Sequence, residues 1–370
     1  MVVLKNVTCF FLFLFIASCI EPYEFIVRDE SQTLVVEAMI SNQSFNETLL
    51  YPSDGRYFTV KLSETGDVTN NRATPVLSAL VTLLSDGGET WEYSESDPVN
   101  SPGVYVLQDD DFDADRNTKY KLQIRTGEVD YESGWESMPT AEAPVMGAIG
   151  FTETDVLTYA IELNKQIIKT TRGITANIDI SKNNSGETLY YRWKFTPMWV
   201  FQAPLSRSAV LPGYRCWVSS NLYLRDYTLQ QDLAGGYTKD LFFMATIRNE
   251  RIYEDFTIIV AQQSMTEPYY YFWKEMQEQT KAGAIFDAPH FNLKSNMIAL
   301  NSTNQVIGYF GVVEEQAKRW YFNYRDLSYA VENTLRKDCT VHGLPPGPSC
   351  SDCRQYQFGE AVNVKPSWWR

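Results

Sequence analysis

Apolar side chains recur at every second position in short runs along most of this chain, and that period limits its fold more than any other feature. Residues 189–195 are the clearest instance. Tyr191, Trp193 and Phe195 fall on one face there, and Arg192 and Lys194 on the other. Only a strand, with its two-residue side-chain period, can bury such a pattern on one side. We assign the aromatic face to core. Further runs lie at 34–40, 57–63, 76–84, 103–107 and 119–124. Asp86-Gly87-Gly88 supplies turn chemistry before Trp91-Glu92-Tyr93. Short strands with turn signals between them predict an antiparallel immunoglobulin-like β-sandwich over 34–140. Two prolines in the extended stretch 138–144 cannot sit in a central strand, so a domain boundary is expected there.

The region 145–336 predicts a larger β-rich domain. Alternation returns at 177–180, 242–247, 256–260, 306–312 and 319–322. The period changes once. Ser264-Met265-Thr266-Glu267 has capping-box form, with Pro268 inside the first turn. Tyr269, Phe272, Trp273 and Met276 follow at i, i+3, i+4 and i+7, which predicts one amphipathic helix near 265–282. The tail, 337–370, is proline-rich and aperiodic, and it carries three cysteines. It is expected to be an irregular cap tied by disulfides. The whole reads as a mainly β protein.

At the N-terminus, Lys5 precedes the apolar run 9–16, which is shorter than the roughly 20 residues needed to span a bilayer. The run ends in Ile16-Ala17-Ser18-Cys19 and then turns polar at Glu21. Residues 1–18 have signal-peptide form, and the ending resembles the lipobox of bacterial lipoproteins. There the cysteine is acylated and becomes the first mature residue. Cys19 is therefore the expected lipidation site, and 19–33 the expected tether. Of the six cysteines, Cys9 leaves with the signal peptide. Cys216, Cys339, Cys350 and Cys353 remain, and in an oxidising compartment they are expected to form two disulfides of undetermined pairing.

Enzyme constellations are sparse. Two histidines, His290 and His342, make a His-based triad or multi-His metal site an unpromising reading. Gly87-Gly88 and Gly235-Gly236 read as turns rather than phosphate loops. Carboxylates are plentiful, but nothing singles out a pair with glycosidase spacing. Asp109, Asp111, Asp113 and Asp115 alternate as calcium ligands can. The EF-hand pattern fails, because its glycine and final glutamate positions hold Ala114 and Tyr120. A solvated hairpin loop is the simpler reading. Cys350-Ser351-Asp352-Cys353 lies beside Pro345-Pro346-Gly347-Pro348 rather than at the start of a helix, which favours a structural disulfide over zinc or redox use. A net charge of −14 with no basic run argues against nucleic acid as a partner.

Several motifs occur in a characteristic order. They are Leu34-Val35-Val36-Glu37-Ala38, the run 57–63, Gly103-Val104-Tyr105, Tyr190-Tyr191-Arg192-Trp193 and Cys216-Trp217. After them come the helix from Tyr269 to Trp273, Gly283-Ala284-Ile285-Phe286-Asp287, Gly308-Tyr309-Phe310, Lys318-Arg319, Cys350-Ser351-Asp352-Cys353 and Lys365-Pro366-Ser367-Trp368-Trp369. With the lipobox, this order resembles a family of Bacteroidota outer-membrane lipoproteins, the domain-of-unknown-function family 4249. The chain departs from it at Lys294-Ser295-Asn296, where many members carry Gly-Asn. The resemblance implies an outer-membrane lipoprotein, held in the lipid by Cys19 and often encoded beside TonB-dependent receptors. It implies no reaction.

The expected function is a non-catalytic accessory subunit of an outer-membrane β-barrel such as a TonB-dependent receptor. The alternative is a surface binding protein for peptides or glycans. The stretch 199–211 and the terminus are aromatic, proline-marked and aperiodic. Trp199, Phe201, Trp368, Trp369 and Arg370 are therefore the candidate partner contacts.

Overall fold

The alternating runs become strands, and their apolar faces close two cores. A computed structural model describes residues 33–65, 73–162, 164–281, 293–341 and 345–370. The expected signal peptide, Cys19, the tether before Thr33, the 283–287 motif, His290 and His342 lie outside the described residues.

The first region contains β1 (Leu34–Ser41), α1 (Phe45–Leu50), β2 (Phe58–Glu64), β3 (Thr74–Pro75), β4 (Leu80–Ser85), β5 (Thr90–Glu95), β6 (Val104–Leu107), β7 (Tyr120–Thr126) and β8 (Val129–Ser133). β8, β7, β4 and β5 run side by side, and β5 passes on to β6, β2 and β1. Val36, Ile40, Leu62, Leu83, Tyr105 and Leu122 meet between these layers as a buried core. The expected sandwich is present. A capping box that the sequence reading did not single out starts α1, where Ser44 and Glu47 each bond the other's backbone N–H.

The second region contains β9 (Ile149–Glu162), β10 (Lys165–Ile180), β11 (Leu189–Gln202), β12 (Arg215–Ser219), β13 (Thr228–Asp232), β14 (Tyr237–Ala245), β15 (Phe256–Ser264), α2 (Glu267–Lys281), β16 (Met297–Ala299), β17 (Val306–Phe322), α3 (Leu335–Asp338) and β18 (Glu360–Val362). β17, β15, β11, β12 and β18 form one layer, and β14, β10 and β9 form a separate sheet. Trp193, Trp199, Ile258, Val260, Ile174 and Met244 are buried together in the second core. Tyr191 and Trp193 lie in that core, as the alternation predicted.

The two regions share a strand. Residues 306–313 of β17 pair in parallel with β1, and residues 314–322 pair antiparallel with β15. β16 pairs with β8, and Met297, Phe310 and Val312 lie in the first core. The first sandwich therefore draws on 297–313 as well as 34–140, and the expected division into 34–140 and 145–336 is crossed by these strands. Without β17, one edge of β1 would present unpaired amides. Asn296 ties the crossing down: its side chain accepts from the N–H of Phe310 and donates to the carbonyl of the same residue.

The glycines of the β17 motif have steric reasons. Gly308 has φ +140°, and a Cβ there would lie 2.0 Å from the Val36 carbonyl oxygen. A Cβ on Gly311 would lie 2.3 Å from the Tyr269 ring. This bare patch lets α2 lie close across the strand, where Tyr269, Phe272 and Tyr270 pack with Tyr309 and Val313. The predicted capping box at 264–267 does not form. β15 runs through Ser264, whose hydroxyl is buried without a partner, and the helix begins at Glu267. Strand pairing with β11 and β17 wins over local helix chemistry at that residue.

Candidate functional site

Where the two sandwiches meet, β17 carries two buried carboxylates, Glu314 and Glu315. Arg116 pairs with Glu314 at 2.7 Å, and Arg56 with Glu315 at 2.8 Å. Gln263 donates to Glu315 at 2.7 Å and accepts from Nε of Arg192 at 2.8 Å. Burial pushes the Glu315 carboxyl up, but Arg56 and the Gln263 hydrogen bond outweigh it, and the net shift is downward. The chain of contacts thus runs from Arg56 through Glu315 and Gln263 to Arg192.

Arg192 is only 2% exposed, which is rare for an arginine, and it has no carboxylate partner among the described residues. Its guanidinium lies 4.0 Å from the Trp273 ring centroid and 5.5 Å from that of Tyr269. Its NH2 nitrogen meets the sulfur of Met39 at 3.5 Å, a weak acceptor. The residue is held by aromatic faces and one amide oxygen.

Arg192 lines a groove of about 240 Å³ between β1 and β2 on one side and β11 and α2 on the other. Arg56, Lys61 and Lys194 line it too, against one carboxylate, Glu37. Among the described residues, neither Lys61 nor Lys194 has a carboxylate in ion-pair reach. Lys194 opens to solvent yet is hemmed in by protein. Desolvation, then Arg192 and Arg56, push its ammonium down to about 8. The polar face of residues 189–195 reads as a solvent face in sequence. It is partly covered because α2 lies over it, a non-local event that leaves no local signal.

A second feature is a free ribbon. β14 pairs with β10 only from Gly173 to Ile180, while β9 and β10 stay paired out to Glu162 and Lys165. Among the described residues, two strands of about eight residues therefore run on without a third, for roughly 25 Å. Leu157, Tyr159 and Ile161 share one face, and Ile168 stands opposite Tyr159. All four are largely exposed, Tyr159 at 85%. Apolar alternation marks only the last residues of this hairpin, 177–180, because threonines and charges blur it elsewhere.

The candidate partner contacts prove mostly internal. Trp199 is 0% and Phe201 3% exposed, both in the second core, where Tyr356 of the tail packs on them. Trp369 is buried. The Trp368 indole N–H donates to Asp54 at 2.8 Å, and Arg319 stacks 3.8 Å from its ring. Arg370 lies 3.6 Å over Tyr321. The terminus docks on its own molecule. An aperiodic sequence is therefore a poor guide to exposure, since non-strand segments can still fill a core.

The tail cysteines pair as Cys216–Cys353, joining β12 to the tail, and Cys339–Cys350 within it. The four candidate calcium ligands are not gathered. Phe112 and Ala114 point into the first core, so Asp111, Asp113 and Asp115 point outward. Asp109 accepts from the N–H groups of Asp111 and Phe112, and Asp115 from that of Asn117. Among the described residues, no three His, Cys, Asp or Glu side chains converge as metal ligands. Likewise, no described helix is long and apolar enough to cross a membrane.

No curated protein matches the chain. Among solved structures, a crystal structure of a DUF4785 family protein from Legionella pneumophila is 13% identical, over 62% of this chain and 52% of that one, with a TM-score of 0.16. The chain spans about half the length of that protein, and so slight a likeness carries no argument. The profile described as "Domain of unknown function (DUF4249)" matches residues 20–319, which takes in the first sandwich, most of the second, the junction groove and the shared strand up to Arg319. This chain belongs to the DUF4249 family.

Proposed function

We propose that the protein is a non-catalytic accessory subunit, anchored in the outer membrane by lipid on Cys19 and docked to a β-barrel of the TonB-dependent-receptor type. The free ribbon carries this reading. An isolated two-stranded ribbon is at best marginally stable in water, and contiguous exposed apolar side chains on such an element mark interaction surfaces. Leu157, Tyr159, Ile161 and Ile168 provide that surface, and among the described residues no strand pairs with either ribbon edge over 155–162 and 165–172, which leaves both open to strand addition. The lipobox-like ending at Cys19 supports the membrane anchor, and the resemblance to outer-membrane lipoproteins supports the barrel. Lipid confines the subunit to the plane of the membrane, so an interface of about 1,000 Å² suffices for steady association.

Purification in mild detergent, with identification of bound proteins, tests the reading. The wild-type chain is expected to bring down a barrel. A Leu157→Asp, Tyr159→Asp, Ile161→Asp variant should melt at the same temperature and come down without it. A partner retained by that variant removes the ribbon from the reading, and the absence of any barrel from the wild-type sample refutes the reading itself. Cys19→Ala should release the chain from the outer-membrane fraction; unchanged fractionation would refute the anchor.

A further inference from the structure

The junction groove reverses the charge of the molecule around it. The chain carries a net −14, yet the groove wall holds four cations, Arg56, Lys61, Arg192 and Lys194, against Glu37. Arg56 is already neutralised by Glu315. Among the described residues none of the other three has a carboxylate in ion-pair reach, and one of them, Arg192, is buried. A guanidinium has five N–H donors in a planar fork suited to a carboxylate. In Arg192, Nε serves Gln263 and NH2 meets only a thioether. Most of its donors therefore lack an oxygen partner among the described residues, although the residue is 2% exposed. The stack on Trp273 fixes the plane of the fork, and Gln263 fixes its rotation. An arginine held this way is preorganised for an anion that the described residues do not supply.

The aromatic rings narrow the choice of anion. Tyr269 is stacked on Tyr309 at 4.8 Å, and Trp273 is engaged by Arg192, Tyr227 and Phe272. These rings are committed inside the protein, so little flat surface is left for a sugar to stack on. Recognition falls to charge, and the volume of the groove suits one side chain. We propose that the groove binds an acidic peptide segment, one carboxylate of which sits on Arg192 with Lys61 and Lys194 flanking it. The crowding of Lys194 by Arg192 and Arg56 fits this arrangement, because a bound carboxylate relieves the repulsion among them. The inference stands apart from barrel docking, since it uses no residue of the ribbon and concerns the protein alone.

Calorimetric titration of the purified protein at neutral pH and low salt tests it. The probes are blocked hexaglutamate and blocked hexaglutamine peptides, with inorganic phosphate and sodium glucuronate as competitors. Hexaglutamate is expected to bind at least tenfold more tightly than hexaglutamine. The double variant Lys61→Gln, Lys194→Gln should weaken it at least tenfold without lowering the melting temperature. Glu37→Gln should tighten it several-fold, a gain that misfolding does not produce. Lys119→Gln, on the surface outside the groove, should change nothing. Equal binding of the two peptides, or no response to the groove variants, overturns the proposal. So does displacement of the peptide by phosphate or glucuronate at equal concentration, which would make the groove a site for small anions or acidic sugars.

Discussion

The two sandwiches solve the problem of sheet edges in different ways. The first covers the edge of β1 with a strand from 272 residues further on, since Val313 pairs beside Ser41 and Val306 beside Leu34. Its core mixes aliphatic side chains with a few rings, and pairing runs unbroken from β8 through β7, β4, β5, β6, β2 and β1 to β17. The second ends in an irregular tail fastened to β12 by Cys216–Cys353, and among the described residues half of the β9–β10 ribbon has no third strand. A closed edge makes a region self-sufficient, whereas an open edge keeps a surface available to something else.

The strongest test of the shared strand is Phe310→Ala. The side chain is fully buried in the first core, and emptying such a site costs about 3–5 kcal/mol. Hydrogen exchange should show protection lost in strands of the 34–138 region, far away in sequence, before it is lost around β11. Loss confined to the second core would break the assignment of 306–313 to the first.

Cys353→Ala should cost about 2–5 kcal/mol and act on the other side of the comparison. The tail should become protease-sensitive while the first sandwich keeps its exchange protection. If the first sandwich weakened equally, the two regions would form one cooperative unit. Gly311→Ala bears on the joint between them. The added methyl meets the Tyr269 ring, and overpacking of this kind costs about 1–3 kcal/mol. Tyr309 and Trp273 fluorescence should report a displaced helix; unaltered spectra and stability would mean that α2 is not seated on the bare patch.

Lys194 gives a smaller effect with a defined sign. Its folded-state affinity for a proton is lowered, so below about 8 both folded and unfolded chains hold the proton and the burial cost is full. From there up to the unfolded value near ~10.4, the folded chain gives up its proton first and the cost fades. Lys194→Met should therefore raise the melting temperature at neutral pH, with a gain that shrinks across that window. A lower melting temperature at neutral pH would show that the ammonium is stabilised where it lies. The smallest change is expected from Tyr159→Asp. It lies on the free ribbon and should alter stability by less than about 0.5 kcal/mol. A larger loss would mean that the ribbon packs against its own molecule.

Period-two alternation by itself determined β1, β2, β4, β6 and β7 of the first sandwich and the inward face of β11, but not β3 or β8. The spacing Tyr269, Phe272, Trp273, Met276 determined the helix, because each of these is a local pattern in which a chain must bury one side of a regular element. Cysteine count in an exported-looking chain determined that two bridges should form. Only the tertiary structure decided which cysteines meet, that β17 closes a sandwich begun at Leu34, and that Trp199 and Phe201 are core. It alone put Arg192, on the polar side of its strand, beneath a helix and in one groove with Lys61 and Lys194. All of these depend on contacts between residues distant in sequence, and a pattern confined to neighbours carries no record of what will be laid on top of it.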